Sequence, residues 1–127
     1  MGDRLFLPED GVDEECSLAI LDNSMDFYIL VLKTFVKEAT KIKNEMQQYR
    51  EESNMPQYQV TVHGLKSSAK SVGFMDLSEL AKESEYLCKN SNWDGAMKKY
   101  EDLIDELECA TDLINRRISE RDERLSK

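Results

Sequence analysis

The sequence has few of the residues that interrupt helices or cross-link a chain. Its 127 residues include 5 glycines, 2 prolines and 3 cysteines, and no stretch alternates apolar and polar residues for long enough to indicate a sheet. The cysteines are odd in number, form no CxxC pair and lie far apart, which argues against a disulfide framework and against a zinc site. The composition therefore predicts an all-α protein with reduced cysteines and with no metal or cofactor of its own.

Basic charge and long apolar runs are also scarce. The chain has 17 lysines and arginines against 26 acidic residues, which gives a formal net charge of -9. This excess of negative charge argues against nucleic acid and against an anionic membrane surface as partners. No run approaches the roughly 20 apolar residues that a transmembrane helix needs, and the first residues do not resemble a signal peptide. We therefore expect a cytoplasmic monomer whose partners are proteins.

Apolar residues recur at spacings of three and four along most of the chain, which is typical of amphipathic helices. The pattern predicts one short and four long helices, at about 12–21, 24–52, 56–71, 75–90 and 93–118. Long amphipathic helices with short connections favour an antiparallel four-helix bundle, and the short N-terminal helix is expected to cover one end of it. We expect a single domain over residues 1–127, with the bundle core at about 24–118.

His63 is the only histidine, and it lies in a stretch without acids. Residues 53–75 contain no Asp or Glu, and their only charges are Lys66 and Lys70. A free imidazole titrates near pH ~6.5, so at neutral pH many such rings present an unprotonated nitrogen that can attack phosphorus and leave again. Lys66 lies one helical turn away, where an ammonium can stabilise the charge of a transferring phosphoryl group. The stretch therefore favours reversible phosphoryl transfer through His63.

Small side chains near His63 leave room for a partner that brings an aspartate and its metal close to the ring. Gly64 and Ser67 are small, and Ser67 lies one turn from His63 on the same helix face. We predict that Gly64, Ser67, Lys70 and Phe74 form a docking surface for this partner. For Phe74, burial at the turn that follows the helix is the alternative.

Glu85 is predicted to lie beside the imidazole. If the helices on either side of Gly73 form an antiparallel hairpin, His63 lies about 15 Å before the turn and Glu85 about 18 Å after it, at ~1.5 Å per residue. Glu85 could then accept a hydrogen bond from one ring nitrogen and turn the other toward solvent. Ordinary surface ion pairs with Lys82 and Lys89, at offsets of three and four, are the alternative role for Glu85.

The region from His63 to Glu85 resembles the signature of histidine-containing phosphotransfer (HPt) domains. The matching pattern is H-x-L-K-x-S-A-x-x-x-G, followed by Leu77, Leu80, Ala81 and Glu85. The predicted order of helices resembles theirs over nearly the whole chain, and the segment from Gly11 to Phe35 is similar to bacterial members in particular. The chain is thereby identified as a candidate HPt domain of a bacterial two-component phosphorelay.

The resemblance implies a phosphocarrier without catalytic activity of its own. Such a protein takes a phosphoryl group from the aspartate of one response-regulator receiver domain and passes it to another, in a relay that a hybrid sensor histidine kinase feeds; Mg²⁺ is expected on the receiver. The resemblance implies that His63 is phosphorylated, that Lys66 orients the phosphoryl group and that Glu85 orients the imidazole. Ser67 departs from the family, which commonly has glycine there. Its hydroxymethyl group would slow docking, narrow the choice of partner or donate a hydrogen bond to the phosphoryl group.

Two other classes of protein stay open. The first is a helical-bundle adaptor that binds signalling proteins without being phosphorylated, which Ser67 favours and the presence of both His63 and Lys66 opposes. The second is the dimerisation and phosphoacceptor half of a sensor kinase. Such segments usually place an acid directly after the histidine, where this chain has Gly64, and they need an ATP-binding domain. The sequence also leaves open whether the chain is the C-terminal piece of a hybrid kinase.

Overall fold

A computed structural model describes residues 4–126, and this part of the chain contains six α-helices and no strand. A 3-10 turn at Pro8–Asp10 precedes them. The helices are α1 (Glu14–Ile20), α2 (Met25–Glu51), α3 (Met55–Ser71), α4 (Met75–Lys89), α5 (Trp93–Lys98) and α6 (Tyr100–Leu125). The four longest, α2, α3, α4 and α6, form the bundle. The short helix α1 lies against the end of α3. The predicted all-α four-helix bundle with a short additional helix is confirmed.

Polar side chains begin four of the six described helices. In each case the side chain accepts a hydrogen bond from the backbone N–H three residues further on, which satisfies a donor that has no partner inside the helix. The four caps are Asp13, Ser24, Asn54 and Asn92. Two of the bundle helices, α2 and α3, therefore begin at a polar side chain that caps them, whereas α4 and α6 begin without such a cap.

The core consists of the stripes that the apolar spacing predicts. Each bundle helix turns one face inward, and its side chains are removed from water. Buried members of the stripes include Tyr28, Leu32, Phe35 and Met46 of α2, Tyr58, Val62 and Leu65 of α3, Leu77 and Ala81 of α4, and Leu103, Leu107 and Ile114 of α6. Val62 and Leu65 point inward. His63, which directly follows Val62, is therefore turned away from the core.

The predicted fourth long helix is in fact two helices, α5 and α6, separated by Lys99. The N–H of Lys99 donates to the carbonyl of Ala96, three residues back, which is the hydrogen-bond spacing of a 3-10 turn. The apolar residues on either side of the break, Met97, Tyr100 and Leu103, are spaced by three and three. That spacing suits a turn with three residues per turn, so the stripe continues across the break although the α-helix does not.

The N-terminal segment packs over one end of the bundle. Leu5 and Phe6 are buried, and their backbone N–H groups donate to the two carboxylate oxygens of Glu14, at 2.7 and 3.0 Å. Asp10 accepts two hydrogen bonds of 2.9 Å from the guanidinium of Arg117, on the far helix α6. The Arg117 hydrogen bonds lower the pKa of Asp10 although its burial acts to raise it. The core thus extends further toward the N-terminus than predicted.

Groups near the start of the chain, in α1, its N-cap and α2, also donate to carbonyl groups at the end of α3. The hydroxyl of Ser17 donates to the carbonyl of Ser71 at 2.9 Å, and that of Tyr28 donates to the carbonyl of Val72 at 2.7 Å. The N–H of Asp13 donates to the carbonyl of Gly73 at 2.8 Å. Gly73 has a φ of +89°, and a Cβ there would lie 2.6 Å from the backbone oxygen of Asp13. Glycine is therefore required at the turn that sets α4 against α3.

Within residues 4–126, none of the helices combines the length and the apolar character needed to span a bilayer.

Candidate functional site

His63 projects from the outer face of α3. Its neighbours Val62 and Leu65 are buried, whereas the His63 side chain is 58% exposed. This position follows from the helical period, because a residue one step from a buried stripe lies at its edge or outside it. The imidazole is therefore accessible to a docking partner.

Glu85 reaches His63 from the adjacent helix α4. Its carboxylate oxygen Oε2 is hydrogen bonded to Nδ1 of the imidazole, while its side chain is only 5% exposed. The hydroxyl of Ser78, two turns earlier on α4, donates to the carbonyl of Lys66 at 3.0 Å and helps to hold the two helices in register. The predicted proximity of Glu85 and His63 is confirmed.

Lys66 contacts the same carboxylate. Its Nζ lies 2.6 Å from Oε1 of Glu85, and its side chain is 27% exposed. No partner for this lysine was predicted, because no acid lies three or four residues from it within its own helix. Lys89 lies 3.8 Å from Oε2 of Glu85, so the i,i+4 pair considered as the alternative role of Glu85 is present as well. One buried carboxylate thus joins the imidazole and two ammonium groups.

The cluster favours the ionised form of Glu85. Burial of the carboxylate acts to raise its pKa, but hydrogen bonds from Lys66 and His63 outweigh the burial and hold the pKa below the ordinary value of 4.5. Near neutral pH the carboxylate is therefore charged and accepts a hydrogen bond at each oxygen. Because an ionised carboxylate can only accept, Nδ1 is the donor in this contact, and in the neutral form of the ring Nε2 is the nitrogen without a proton.

Three of the four predicted docking residues lie on the surface and one does not. Gly64, Ser67 and Lys70 are exposed on α3, and apart from the neighbouring residues and the backbone of the same helix, no atom lies within 4 Å of the position that a Cβ of Gly64 would occupy. Phe74 is only 8% exposed. Its ring packs edge-on against Phe6 at a centroid distance of 5.6 Å. The prediction that Phe74 docks a partner is therefore wrong, because the N-terminal segment covers this ring.

A groove between α2 and α3 adjoins the histidine and was not predicted. Its volume is about 290 Å³, and it is lined in part by Ile42, Glu45, Val60 and Gly64. Val60 is three residues before His63 and is 64% exposed, so it shares the outer face of α3 with the imidazole. The signal in the sequence was an apolar residue off the buried stripe, close to His63.

The described residues, 4–126, bring together no group of three His, Cys, Asp or Glu side chains that could hold a metal ion. The site consists of an exposed imidazole, a cation within one helical turn and a carboxylate that orients the ring. Its small neighbours leave the front of the ring open. This arrangement can receive an electrophile at Nε2 while the ammonium of Lys66 stabilises negative charge nearby.

The sequence matches the family model of the Hpt domain over residues 30–115, and the chain therefore belongs to the Hpt family. HPt domains are phosphocarrier modules, and the assignment supports a role in histidine phosphotransfer within a phosphorelay. The matched residues include His63, Lys66 and Glu85 but exclude the N-terminal segment and α1. A search of curated proteins gives no match.

Solved structures of HPt proteins share the fold. The HPt domain of a sensor hybrid histidine kinase from Shewanella has a TM-score of 0.77 at 15% identity, with 87% of this chain and 95% of that chain covered. The phosphotransfer protein HptB from Pseudomonas aeruginosa has a TM-score of 0.77 at 18% identity, covering 86% and 96%. A putative histidine-containing phosphotransfer protein from rice has a TM-score of 0.78 at 21% identity, covering 92% and 88%. At these identities the likeness shows the fold, and a bacterial source stays a prediction.

Proposed function

We propose that His63 accepts a phosphoryl group from the aspartate of one receiver domain and passes it to the aspartate of another. The observation that carries this proposal is the exposed imidazole whose Nδ1 is bound to the buried carboxylate of Glu85. A histidine with only a packing role would be buried. A histidine that was only a polar surface residue would not require a hydrogen bond to a buried carboxylate.

In the proposed transfer, the lone pair of Nε2 attacks the phosphorus of an aspartyl phosphate. The N–P bond forms as the P–O bond to aspartate breaks, and that electron pair returns to the aspartate carboxylate. Nδ1 keeps its proton, so the ring gains positive charge, which the carboxylate of Glu85 stabilises. The reverse step with a second receiver regenerates the neutral ring. Each step only moves the phosphoryl group between an aspartate and His63, so the protein needs no catalytic activity of its own.

Lys66 and the exposed small residues have separate roles in this proposal. Lys66 orients and partly neutralises the oxygens of the phosphoryl group. Gly64, Ser67 and Lys70 form the surface on which the receiver docks, and the groove beside Val60 extends it. Mg²⁺ belongs to the receiver, and a hybrid sensor histidine kinase supplies the phosphoryl group to the relay.

Transfer of label from phosphorylated receiver domains tests the proposal. Each receiver domain of the organism is phosphorylated, mixed with the protein in Mg²⁺, and the protein is then analysed for label. We expect at least one receiver to give a label that is acid-labile and base-stable, and we expect His63→Gln to remove it without changing the helical content. Absence of label with every receiver would favour the adaptor function instead.

A further inference from the structure

Lys66 is bound before any phosphoryl group arrives. Its ammonium lies 2.6 Å from Oε1 of Glu85, while Oε2 of the same carboxylate binds Nδ1 of His63. In the described part of the chain, Glu85 is the only acidic residue within 4 Å of the Lys66 ammonium. A single carboxylate thus holds both the nucleophile and the cation that the proposed transfer requires.

The carboxylate and the incoming phosphoryl group lie on different sides of the imidazole. Glu85 occupies the Nδ1 side, and the proposed N–P bond forms at Nε2. An ammonium bound to Oε1 of Glu85 therefore shares its charge with a carboxylate on the Nδ1 side of the ring. Lys66 gives its full charge to the phosphoryl oxygens by leaving the carboxylate, which its flexible four-carbon stem allows.

Lys89 makes this departure feasible. A buried carboxylate that loses a cationic partner is costly unless another group replaces it. The Nζ of Lys89 lies 3.8 Å from Oε2 of Glu85, and the Lys89 side chain is 57% exposed. It therefore needs only a small movement to form a closer ion pair. Glu85 also keeps its hydrogen bond to His63, so it is not left unpaired.

We propose that the ammonium of Lys66 leaves Glu85 and binds the phosphoryl group during transfer. The ion pair with Glu85 therefore reduces the extent to which Lys66 accelerates the transfer. The exchange moves no proton and breaks no covalent bond, because the ammonium stays charged and only changes its hydrogen-bond partner. This inference rests on the proposed phosphotransfer function and goes beyond it, since it makes the resting ion pair a competitor of the reaction.

A double-mutant cycle on the transfer rate tests the exchange. The four proteins are the wild type, Glu85→Gln, Lys66→Ala and the double variant, each assayed with a receiver that labels the wild type. Glu85→Gln keeps the side-chain shape and an oxygen for Nδ1 but removes the charge that holds Lys66. We expect Lys66→Ala to slow transfer about five- to tenfold more in the Glu85→Gln background than in the wild type, because the lysine no longer has to leave a partner.

Glu83→Gln is the matched control. Glu83 lies on the same helix, and its carboxylate pairs with Lys99 at 2.9 Å, so the substitution removes the same charge away from the imidazole. In the Glu83→Gln background, Lys66→Ala should slow transfer by the same factor as in the wild type. Equal slowing in the wild-type and Glu85→Gln backgrounds would overturn the exchange and leave the phosphotransfer function standing. Absence of label from the wild type would overturn that function and the exchange together.

Spectra of the lysine side chains provide a second readout that does not depend on rates. In ¹H–¹⁵N spectra of lysine Nζ groups, we expect a protected Lys66 signal in the wild type and its loss in Glu85→Gln. Glu83→Gln should instead affect Lys99. Phosphorylation of the wild type should shift the Lys66 signal as its partner changes. A Lys66 signal that is identical before and after phosphorylation would contradict the exchange.

Discussion

Glu14 and Glu85 are both buried carboxylates, but their partners differ in kind. Glu14 accepts hydrogen bonds from the backbone N–H groups of Leu5 and Phe6, which are buried with it. Glu85 binds the side chains of His63 and Lys66, which reach the surface. The donors of Glu14 cannot find another partner unless the N-terminal segment detaches, whereas those of Glu85 can turn to water or to a phosphoryl group. The contacts of Glu14 are those of a carboxylate that stabilises the fold, and the contacts of Glu85 support its proposed role in phosphotransfer.

The largest effect is expected from Glu14→Ala. The substitution leaves two buried N–H groups without an acceptor, and each such group costs about 1–3 kcal/mol. We therefore expect the free energy of unfolding to fall by about 3 kcal/mol in urea titrations, with transfer to His63 preserved at temperatures where the protein stays folded. A variant that remained as stable as the wild type would show that the N-terminal segment does not depend on this carboxylate.

Glu85→Ala should give the opposite pattern. The groups that it leaves behind can be hydrated, so we expect the free energy of unfolding to fall by only about 1 kcal/mol. Transfer should be slowed strongly, because the imidazole loses the group that orients it and stabilises its positive charge. The measurement is a urea titration beside a transfer assay. If Glu85→Ala lost as much stability as Glu14→Ala and transferred the phosphoryl group at the normal rate, Glu85 would be a structural residue like Glu14.

Tyr28→Phe tests a third buried contact, at the end of the helix that carries His63. The substitution removes one hydroxyl that donates to the carbonyl of Val72 at 2.7 Å. A typical intramolecular hydrogen bond contributes about 1 kcal/mol, so thermal unfolding should show a loss of that size. The transfer rate should be unchanged, since the Tyr28 hydroxyl contacts none of the reacting groups. A slowed transfer would mean that this contact controls the position of the imidazole.

The smallest expected effect is the loss, at acid pH, of the stability that ionised Glu85 contributes. Because the pKa of Glu85 is lowered in the folded protein, its ionised form contributes stability above its unfolded pKa, and this contribution is lost as the pH falls through the folded value. The stability difference between the wild type and Glu85→Gln should therefore shrink as the pH falls below about 4.5. Urea titrations at each pH measure it, with Glu83→Gln as the control. A stability difference that grew as the pH fell below about 4.5 would contradict a lowered pKa of Glu85.

Much of the fold and part of the site follow from the sequence because helical periodicity is a local signal. The stripes located the bundle helices, and counting residues from Gly73 placed Glu85 level with His63. The pairing of Lys66 with Glu85 was not predictable from offsets within one helix, because its partner lies on the next helix. The sequence left docking and burial as alternatives for Phe74 for a similar reason, since the ring that covers it belongs to Phe6.

Contacts between distant segments account for most of what the sequence did not reveal. Asp10 and Arg117 are 107 residues apart, and no periodic pattern links them. The break at Lys99 also escaped prediction, because the apolar stripe runs through it without interruption. The Asp10–Arg117 pair depends on how separate elements pack, which a pattern within one element does not encode.

The most direct test of the central claim is to determine which nitrogen of the imidazole carries phosphorus. Because His63 is the only histidine, ¹⁵N-histidine labelling reports on a single ring, and ³¹P–¹⁵N coupling identifies the bonded atom after transfer from a receiver. We predict one phosphohistidine with phosphorus on Nε2 and with Nδ1 still protonated against Glu85. Phosphorus on Nδ1, or no phosphohistidine after incubation with every receiver, would contradict the account.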